Sequence, residues 1–481
     1  MIDELLTLPG LVALIPLLAA AAVALVRPPA LGAWVTIAAS TAAFVLACLL
    51  PRELRTGSLL LVDPLAAYMT ILTAFVGMTT AWFSRGYTAA EAAAGRLVGQ
   101  RRRHYHALYL AFLGFMLLAL LSNNLGVTWV AIEAATIAGV LVVSLPRTAE
   151  AVEAAWKFFI LCGVGIALAL FGTIVLYLAA LPALGPGLPA MSWNTLGRAA
   201  PKARGTLLNL AFVFMLIGYG TKAAMAPLHG WMADAHAEGP TPVSAVLSGS
   251  ILNVALVVIL RLRSLLAANA EAIAPGPPIM ALGLLSLLLA AFALWRRRDV
   301  KRFFAFSTVE QSGIAAFAFG LGGAAAVFAG LLHITLHTLV KSAVFQCVGR
   351  AAQLKGGQKF ADIGGLLAGH RALGLTLAAG IAGIAGLPPF GVFTSEFLVI
   401  SSTFARAPIL AILFVFGLLV SFGALFLRVS SVAFGEPRGP AGPVTASYLP
   451  MFAHLTLVLI AGIWLPGPLV AWFQHVAALL G

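Results

Sequence analysis

Apolar runs of about 20 residues recur along the whole chain, each long enough to cross a bilayer as a helix. In hydrocarbon every backbone polar group must be paired internally, which leaves only helices or closed barrels. A barrel would show short segments of alternating polarity, and this sequence shows continuous apolar stretches instead. With 61% hydrophobic and 9% charged residues and a mean hydropathy of +1.03, the chain lies far outside the soluble range. The expected class is an all-α, polytopic membrane protein.

Breaks at Pro, Gly and charged clusters divide the chain into 14 predicted helices. They fall near residues 8–26, 30–50, 60–83, 106–122, 125–145, 155–181, 205–228, 242–264, 276–295, 303–322, 325–349, 372–402, 408–433 and 447–473. No connection is long enough for a soluble domain, so residues 1–481 are expected to form a single membrane domain. The opening "MIDELLTLPGLVALIPLLAAAAVALVRPP" has acids ahead of its apolar core, unlike the basic start of a cleaved signal, and is predicted as the first span.

The formal charge of +13 does not point to nucleic acid, because the basic residues sit in short connections and not on one polar face. Connections after odd-numbered helices hold 18 Lys and Arg, among them Arg27, Arg96, Arg101, Lys301 and Arg350; those after even-numbered helices hold eight. The positive-inside rule then puts both termini on the non-cytoplasmic side of the membrane. Cys48, Cys162 and Cys347 lack paired spacing and cannot build a four-thiolate cluster or zinc site. No Gly-rich dinucleotide fingerprint is present. No cofactor or metal is expected, and electron chemistry is assigned to partners.

Five charges stand out inside predicted spans, where a charge at a helix centre costs about 2.5–3.5 kcal/mol on insertion scales. They are Glu133 in "GVTWVAIEAATIAGV", Lys222 in "LIGYGTKAAMAPLHGW", Glu310 in "FAFSTVEQSGIAAF", Lys341 in "LLHITLHTLVKSAVF" and Glu396 in "GLPPFGVFTSEFLVIS". One such residue reads equally well as a buried ion-pair partner; five on five helices read as an ion path, since packing alone needs only small residues and hydroxyls. His333, His337 and Lys341 step by four residues and share one helix face, a stripe suited to relaying protons.

Two helices are expected to be broken: Lys222 precedes Pro227, and "GLPPFG" at 386–391 precedes Glu396. Interrupted helices in both halves are a mark of inverted-repeat transporters, and "WVAIEAATIAG" matches "FSTVEQSGIAA" weakly, aligning Glu133 with Glu310. The stretch "PLHGWMADAHAEGPTPVSAVLSG" carries His229, Asp234, His236 and Glu238 with no Lys or Arg to oppose them. That spacing permits a metal site, but without a thiolate or HExxH pattern the reading is a polar loop at the cytoplasmic mouth of the seventh helix.

The same stretch, extended to "TKAAMAPLHGWMADAHAEGPTPVSAVLSG", resembles the signature of the antiporter-like membrane subunits of respiratory complex I, Mrp-type Na+/H+ antiporters and membrane-bound hydrogenases. The likeness covers nearly the whole chain. "NNLGVTWVAIEAATIAGVLVV", "EAAWKFFILCGVGIALALFGT" and "STVEQSG" are most similar to the hydrogenase 4 F-type branch.

The resemblance implies two inverted five-helix repeats, helices 4–8 (residues 106–264) and 9–13 (residues 276–433), with helices 7 and 12 broken. It implies an ion pair of Glu133 with Lys222, connecting residues His333, His337 and Lys341, and an exit-side Glu396. Lys157, His229, Asp234, His236, Glu238 and Glu310 are accessory candidates. Asn253 stands where the family usually has a titratable Lys or His, and Glu310 where Ser or Ala is commoner. The long lateral helix of the largest relatives is expected to be absent. The implied function is proton translocation within a multisubunit redox complex, beside other membrane subunits and a peripheral Fe–S/NiFe-type module, with no electron transfer by this chain. The alternatives are an Mrp-type Na+/H+ antiporter subunit or a scaffold that does not transport.

Overall fold

The computed structural model describes residues 2–25, 28–438 and 447–480. These residues form α1 Ile2–Leu5, α2 Leu8–Leu25, α3 Pro29–Ala47, α4 Pro64–Ala93, α5 Gln100–Leu121, α6 Leu125–Val143 and α7 Ala149–Leu184. There follow α8 Trp193–Ala199, α9 Gly205–Lys222, α10 Met232–Glu238, α11 Thr241–Val246, α12 Leu252–Ala267, α13 Gly276–Leu294 and α14 Val300–Leu321. The last are α15 Ala324–Lys355, α16 Leu366–Gly369, α17 Arg371–Ile384, α18 Gly391–Phe404, α19 Pro408–Ala433, α20 Leu449–Ile463 and α21 Gly467–Leu480. One small antiparallel pair, β1 Arg55–Thr56 with β2 Leu61–Val62, lies between α3 and α4. Among the described residues, 11 helices are long and apolar enough to cross a membrane, or 12 if α20 and α21 count as one bent span.

Helix starts follow local chemistry. Asp63, Asn124, Thr148 and Asp299 each turn a side-chain oxygen back onto free amides in the first turns of α4, α6, α7 and α14, satisfying donors that have no helical partner. Helix seams follow glycine. An added Cβ on Gly283 would come within 2.5 Å of the Phe317 amide nitrogen, and one on Gly313 within 2.6 Å of the Gly283 carbonyl, so α13 and α14 meet backbone to backbone. Gly165 and Gly218 bring α7 and α9 together in the same way.

The structure departs from the sequence reading in five places. The third predicted helix continues to Ala93, and the Gly/Pro-rich connection after α7 contains the short helix α8, whose Trp193 and Leu196 are buried. The strand pair is too short to leave an alternating pattern. The last predicted span is two helices bent by 81° at residues 464–466, where Pro466 cannot supply the amide that would continue the helix. Several bases expected in connections instead sit near helix ends: Arg101 in α5, Lys301 and Arg302 in α14, Arg350 and Lys355 in α15. Arg27 lies outside the described residues.

Both expected breaks are present, and each contains a cis X–Pro bond, at Ala226–Pro227 and Pro388–Pro389. After α9 the chain passes through Ala224, in a left-handed conformation at φ 52°, before resuming as α10. Between α11 and α12 the helix widens into a π turn, Leu247–Ile251, pressed against α15 so closely that a Cβ on Gly249 would sit 2.7 Å from Thr338 Cγ2. Widened turns of this kind are frequent at functional sites.

Candidate functional site

The first cluster forms where α9 stops. Lys222 is the last residue of α9 and is 1% exposed; its ammonium donates to Glu133 Oε2 at 3.2 Å and to Thr136 Oγ1 at 2.6 Å, both on α6. A cation at a helix C-terminus also meets the negative end of the helix dipole. The break itself is held by the second half of the molecule: the Ala226 amide donates to Ser286 Oγ on α13, and Ser312 Oγ on α14 donates to the Ala223 carbonyl.

The second cluster is built on α15. His333, His337 and Lys341 form the expected stripe and are all buried, with the two imidazoles parallel and 6.5 Å apart. His333 Nδ1 lies 3.0 Å from Ser395 Oγ on α18, beside Glu396. Lys341 donates to the Phe304 carbonyl on α14 at 2.9 Å and interacts electrostatically with Glu310 without a direct ion pair. The carboxylate of Glu396 fills the second break: a Cβ on Gly386, which has φ +65°, would lie 2.2 Å from its Oε2.

Around this cluster several buried polar atoms lack a well-formed hydrogen bond: Glu310 Oε2, both ends of the Gln311 amide, Ser307 Oγ, Ser421 Oγ, and the Nε2 atoms of His333 and His337, although Ser307, Gln311 and Ser421 all stand close to the Glu310 carboxylate. Buried polar groups are normally paired, by protein or by ordered water. A run of such atoms between ionisable groups is the chemistry a hydrated proton path needs. Gln311, Ser395 and Ser421 were not singled out from the sequence, because an uncharged polar residue in a span carries no cost large enough to mark it. Nor was the approach of Glu310 to Lys341, which depends on how α14 and α15 pack.

Asn253 donates from Nδ2 to Thr338 Oγ1 at 2.7 Å, next to His337. It therefore ties the first turn of α12, just beyond the π turn, to the histidine helix. Ser248, inside that π turn, lies 2.7 Å from Thr308 on α14.

The accessory residues divide. Asp234 and Glu238 on α10 are not unopposed, as the local sequence suggests. Asp234 pairs with Lys157 at 3.0 Å and with Arg302, and Glu238 pairs with Arg302 at 3.1 Å. The opposing charges come from α7 and α14, distant in sequence, and so were invisible in the loop itself. Lys157 is 46% exposed and also pairs with Glu153 at 2.6 Å, so it belongs to a surface network. His229 packs edge-on against Phe306. His236 is fully buried and stacks on Phe345 at 4.7 Å. No group of three or more potential metal ligands occurs among the described residues.

Comparison with known proteins adds the following. The family described as "NADH:quinone oxidoreductase/Mrp antiporter, TM" matches residues 122–421. A protein of Methylacidiphilum infernorum named "Hydrogenase-4 component F homolog" is 54% identical over 424 residues, covering 88% of this chain and 89% of that one. In fold, a chain of the membrane-bound sulfane sulfur reductase, an archaeal respiratory membrane complex, superposes with a TM-score of 0.85 at 20% identity, covering 98% and 97% of the two chains. A chain of respiratory complex I from Thermus thermophilus superposes with a TM-score of 0.83 at 20% identity, covering 99% and 100%.

Proposed function

The chain belongs to the NADH:quinone oxidoreductase/Mrp antiporter membrane family, and from that premise we propose that it is a proton-translocating membrane subunit of a multisubunit redox complex of the hydrogenase-4 kind. In this reading it crosses the bacterial inner membrane 14 times, with both termini on the non-cytoplasmic side. Two inverted five-helix repeats, residues 106–264 and 276–433, carry the broken helices α9/α10 and α17/α18. The similar placement of Glu133 on α6 and Glu310 on α14, and a Pro-containing break in each half, support the repeat.

One observation carries the reading: the Glu133–Lys222 ion pair and the buried Glu310 and Lys341 lie in one bundle, with Thr338 and the two histidines on α15 beside Lys341 and Asn253 of α12 bonded to Thr338. At a separation of 3.2 Å and an effective dielectric of about 20, opening the first pair changes the electrostatic energy by roughly 5 kcal/mol. Lifting one proton against about 150 mV takes roughly 3.5 kcal/mol. A partner that opens and closes this pair thus commands enough energy to drive one proton. The proton then travels past Asn253 to His333, His337 and Lys341 and leaves through Glu310 and Glu396. Asn253 holds no proton, so the step beside it runs through water.

This chain carries no electrons in the proposed mechanism; a peripheral Fe–S or NiFe-type module supplies the redox energy, and neighbouring membrane subunits transmit it. The test is proton uptake by inverted membrane vesicles energised with hydrogen or formate. Lys222→Ala and Lys341→Ala are each expected to abolish uptake coupled to this complex, and wild-type uptake in either refutes the reading. Uptake that requires sodium would place the chain with the Mrp antiporters instead.

A further inference from the structure

The face of α15 away from the histidine stripe borders a cavity of about 350 Å³ that the proton path does not use. At 100° per residue, Leu332, Thr335, Leu336 and Leu339 point roughly 150° away from His333, His337 and Lys341. The other walls are α3, α4 and the bent pair α20 and α21, whose Ala461 and Pro466 flank the 81° bend. Trp472 of α21 donates to the carbonyl of Pro64, the first residue of α4, at 3.0 Å, which holds α21 across the end of the cavity.

Its chemistry excludes water. Of the described residues that line it, only Tyr68 and Thr335 carry polar side chains, and these are spent on each other. Thr335 donates to the Leu331 carbonyl at 2.7 Å, so the Tyr68 hydroxyl, 2.8 Å from Thr335 Oγ1, is the donor between them. A water here lacks the two to four partners it needs. The mouth opens onto hydrocarbon: Leu457 and Ile460 of α20 line the cavity and are 41% and 42% exposed on the outside of the bundle. The inner wall is shielded, with Leu332, Leu336 and Leu339 at most 5% exposed. At about 30 Å³ per heavy atom, the space holds roughly a dozen carbons. That is the size of a long stretch of one hydrocarbon chain.

We propose that this cavity binds one acyl chain of a membrane phospholipid, which enters past Leu457 and Ile460 and ends against α15, bracing the second helix break from behind. The brace follows from what the cavity wall touches. A Cβ on Gly391, the first residue of α18, would lie 3.0 Å from Leu336 Cδ1 and 3.2 Å from the Ala461 carbonyl carbon, and Leu336 and Ala461 both line the cavity. Gly462, next to Ala461, packs so closely on the Pro389 carbonyl and the Gly391 amide that no side chain fits there. An acyl chain pressing on Leu336 and Ala461 therefore steadies the start of α18, the helix that carries Glu396 and the Ser395 hydroxyl beside His333. The site requires only that the protein spans a bilayer, and stands whether or not it moves protons.

The test uses the assembled complex in nanodiscs of dioleoylphosphatidylglycerol doped with a phosphatidylcholine that carries a diazirine near the end of one chain. After illumination, adducts are mapped by peptide mass spectrometry. An adduct is expected on Leu332, Leu336 or Leu339, which lipid on the outer surface does not reach. Ala461→Phe, which fills the cavity, and Leu457→Trp, which narrows its mouth, are each expected to abolish that adduct, while labelling of the exposed Ile463 and Trp464 continues. A wild-type α15 free of adduct overturns the site, whether water or a neighbouring subunit takes its place. Undiminished α15 labelling in Ala461→Phe overturns it as well. If neither variant assembles, the wild-type map alone decides. The brace is read separately by amide hydrogen exchange in glyco-diosgenin, a steroid detergent with no flexible chain to enter the cavity. Amides of residues 391–396 are expected to exchange at least about tenfold faster in lipid-free protein than after dioleoylphosphatidylglycerol is added back, and slowly in Ala461→Phe under both conditions. Exchange in wild type that ignores added lipid overturns the brace.

Discussion

A thermodynamic cycle across Glu133 and Lys222 distinguishes a proton path from a scaffold. Lys222 is 1% exposed and its partner 18% exposed, with the ammonium also held by Thr136. Removing one member of such a pair leaves a buried charge alone and costs about 3–5 kcal/mol, whereas replacing both by uncharged residues of similar size is often neutral. Glu133→Gln and Lys222→Met should therefore each lower the thermal stability of the detergent-purified protein, and the double variant should recover most of the loss.

Transport should behave differently. Each single variant removes the roughly 5 kcal/mol switch, and a proton facing about 150 mV is then left with a barrier near 3.5 kcal/mol, more than about a hundredfold in equilibrium terms. Uptake by inverted vesicles should fall to background in both single variants and stay there in the double. Recovery of uptake together with stability in the double variant would refute the reasoning, because it would make the pair a packing element. Wild-type uptake in Glu133→Gln would refute it more directly.

Gly386→Ala forces a Cβ to within 2.2 Å of the Glu396 carboxylate at a left-handed position, where a side chain costs about 1–2 kcal/mol; assembly should survive while uptake falls, as measured by pull-down and dye quenching. Gly313→Leu drives a large side chain into the α13–α14 seam, where even a Cβ meets the Gly283 carbonyl at 2.6 Å, so the protein should fail to accumulate in the membrane, as read by immunoblot. Glu4 ties the N-terminus to the turn between the strands. Burial works against its carboxylate, but hydrogen bonds from the Ser58 hydroxyl and the Leu59, Ser58 and Leu60 amides outweigh it and bring its pKa down to about 2. Its contribution is then complete above about pH 4.5 and lost as the pH falls toward 2, so limited proteolysis of this segment should accelerate in wild type between those values and be fast throughout in Glu4→Ala.

The bilayer as solvent explains how much could be read without coordinates. It demands about 20 apolar residues per crossing and makes each buried charge costly, so spans and candidate ions stood out one residue at a time. Proline at 227, 388 and 389 marked both breaks, because a missing amide ends a helix wherever it occurs. The stripe of His333, His337 and Lys341 followed from helical period alone. Family resemblance supplied the partner of Lys222, which periodicity could not.

Tertiary structure decided what each charge faces. The acids of α10 found their cations on α7 and α14, 77 and 68 residues away, and their local sequence gives no sign of either. Glu310 was legible as a buried acid, but its approach to Lys341 and Glu396 depends on the packing of α14, α15 and α18. His236 looked like one polar residue among several in a loop, and only its stacking on Phe345, behind a wall of Lys301, separates it from them. The cost of burying a charge is paid where the residue stands and is visible there, whereas its relief comes from whichever helix the fold brings alongside.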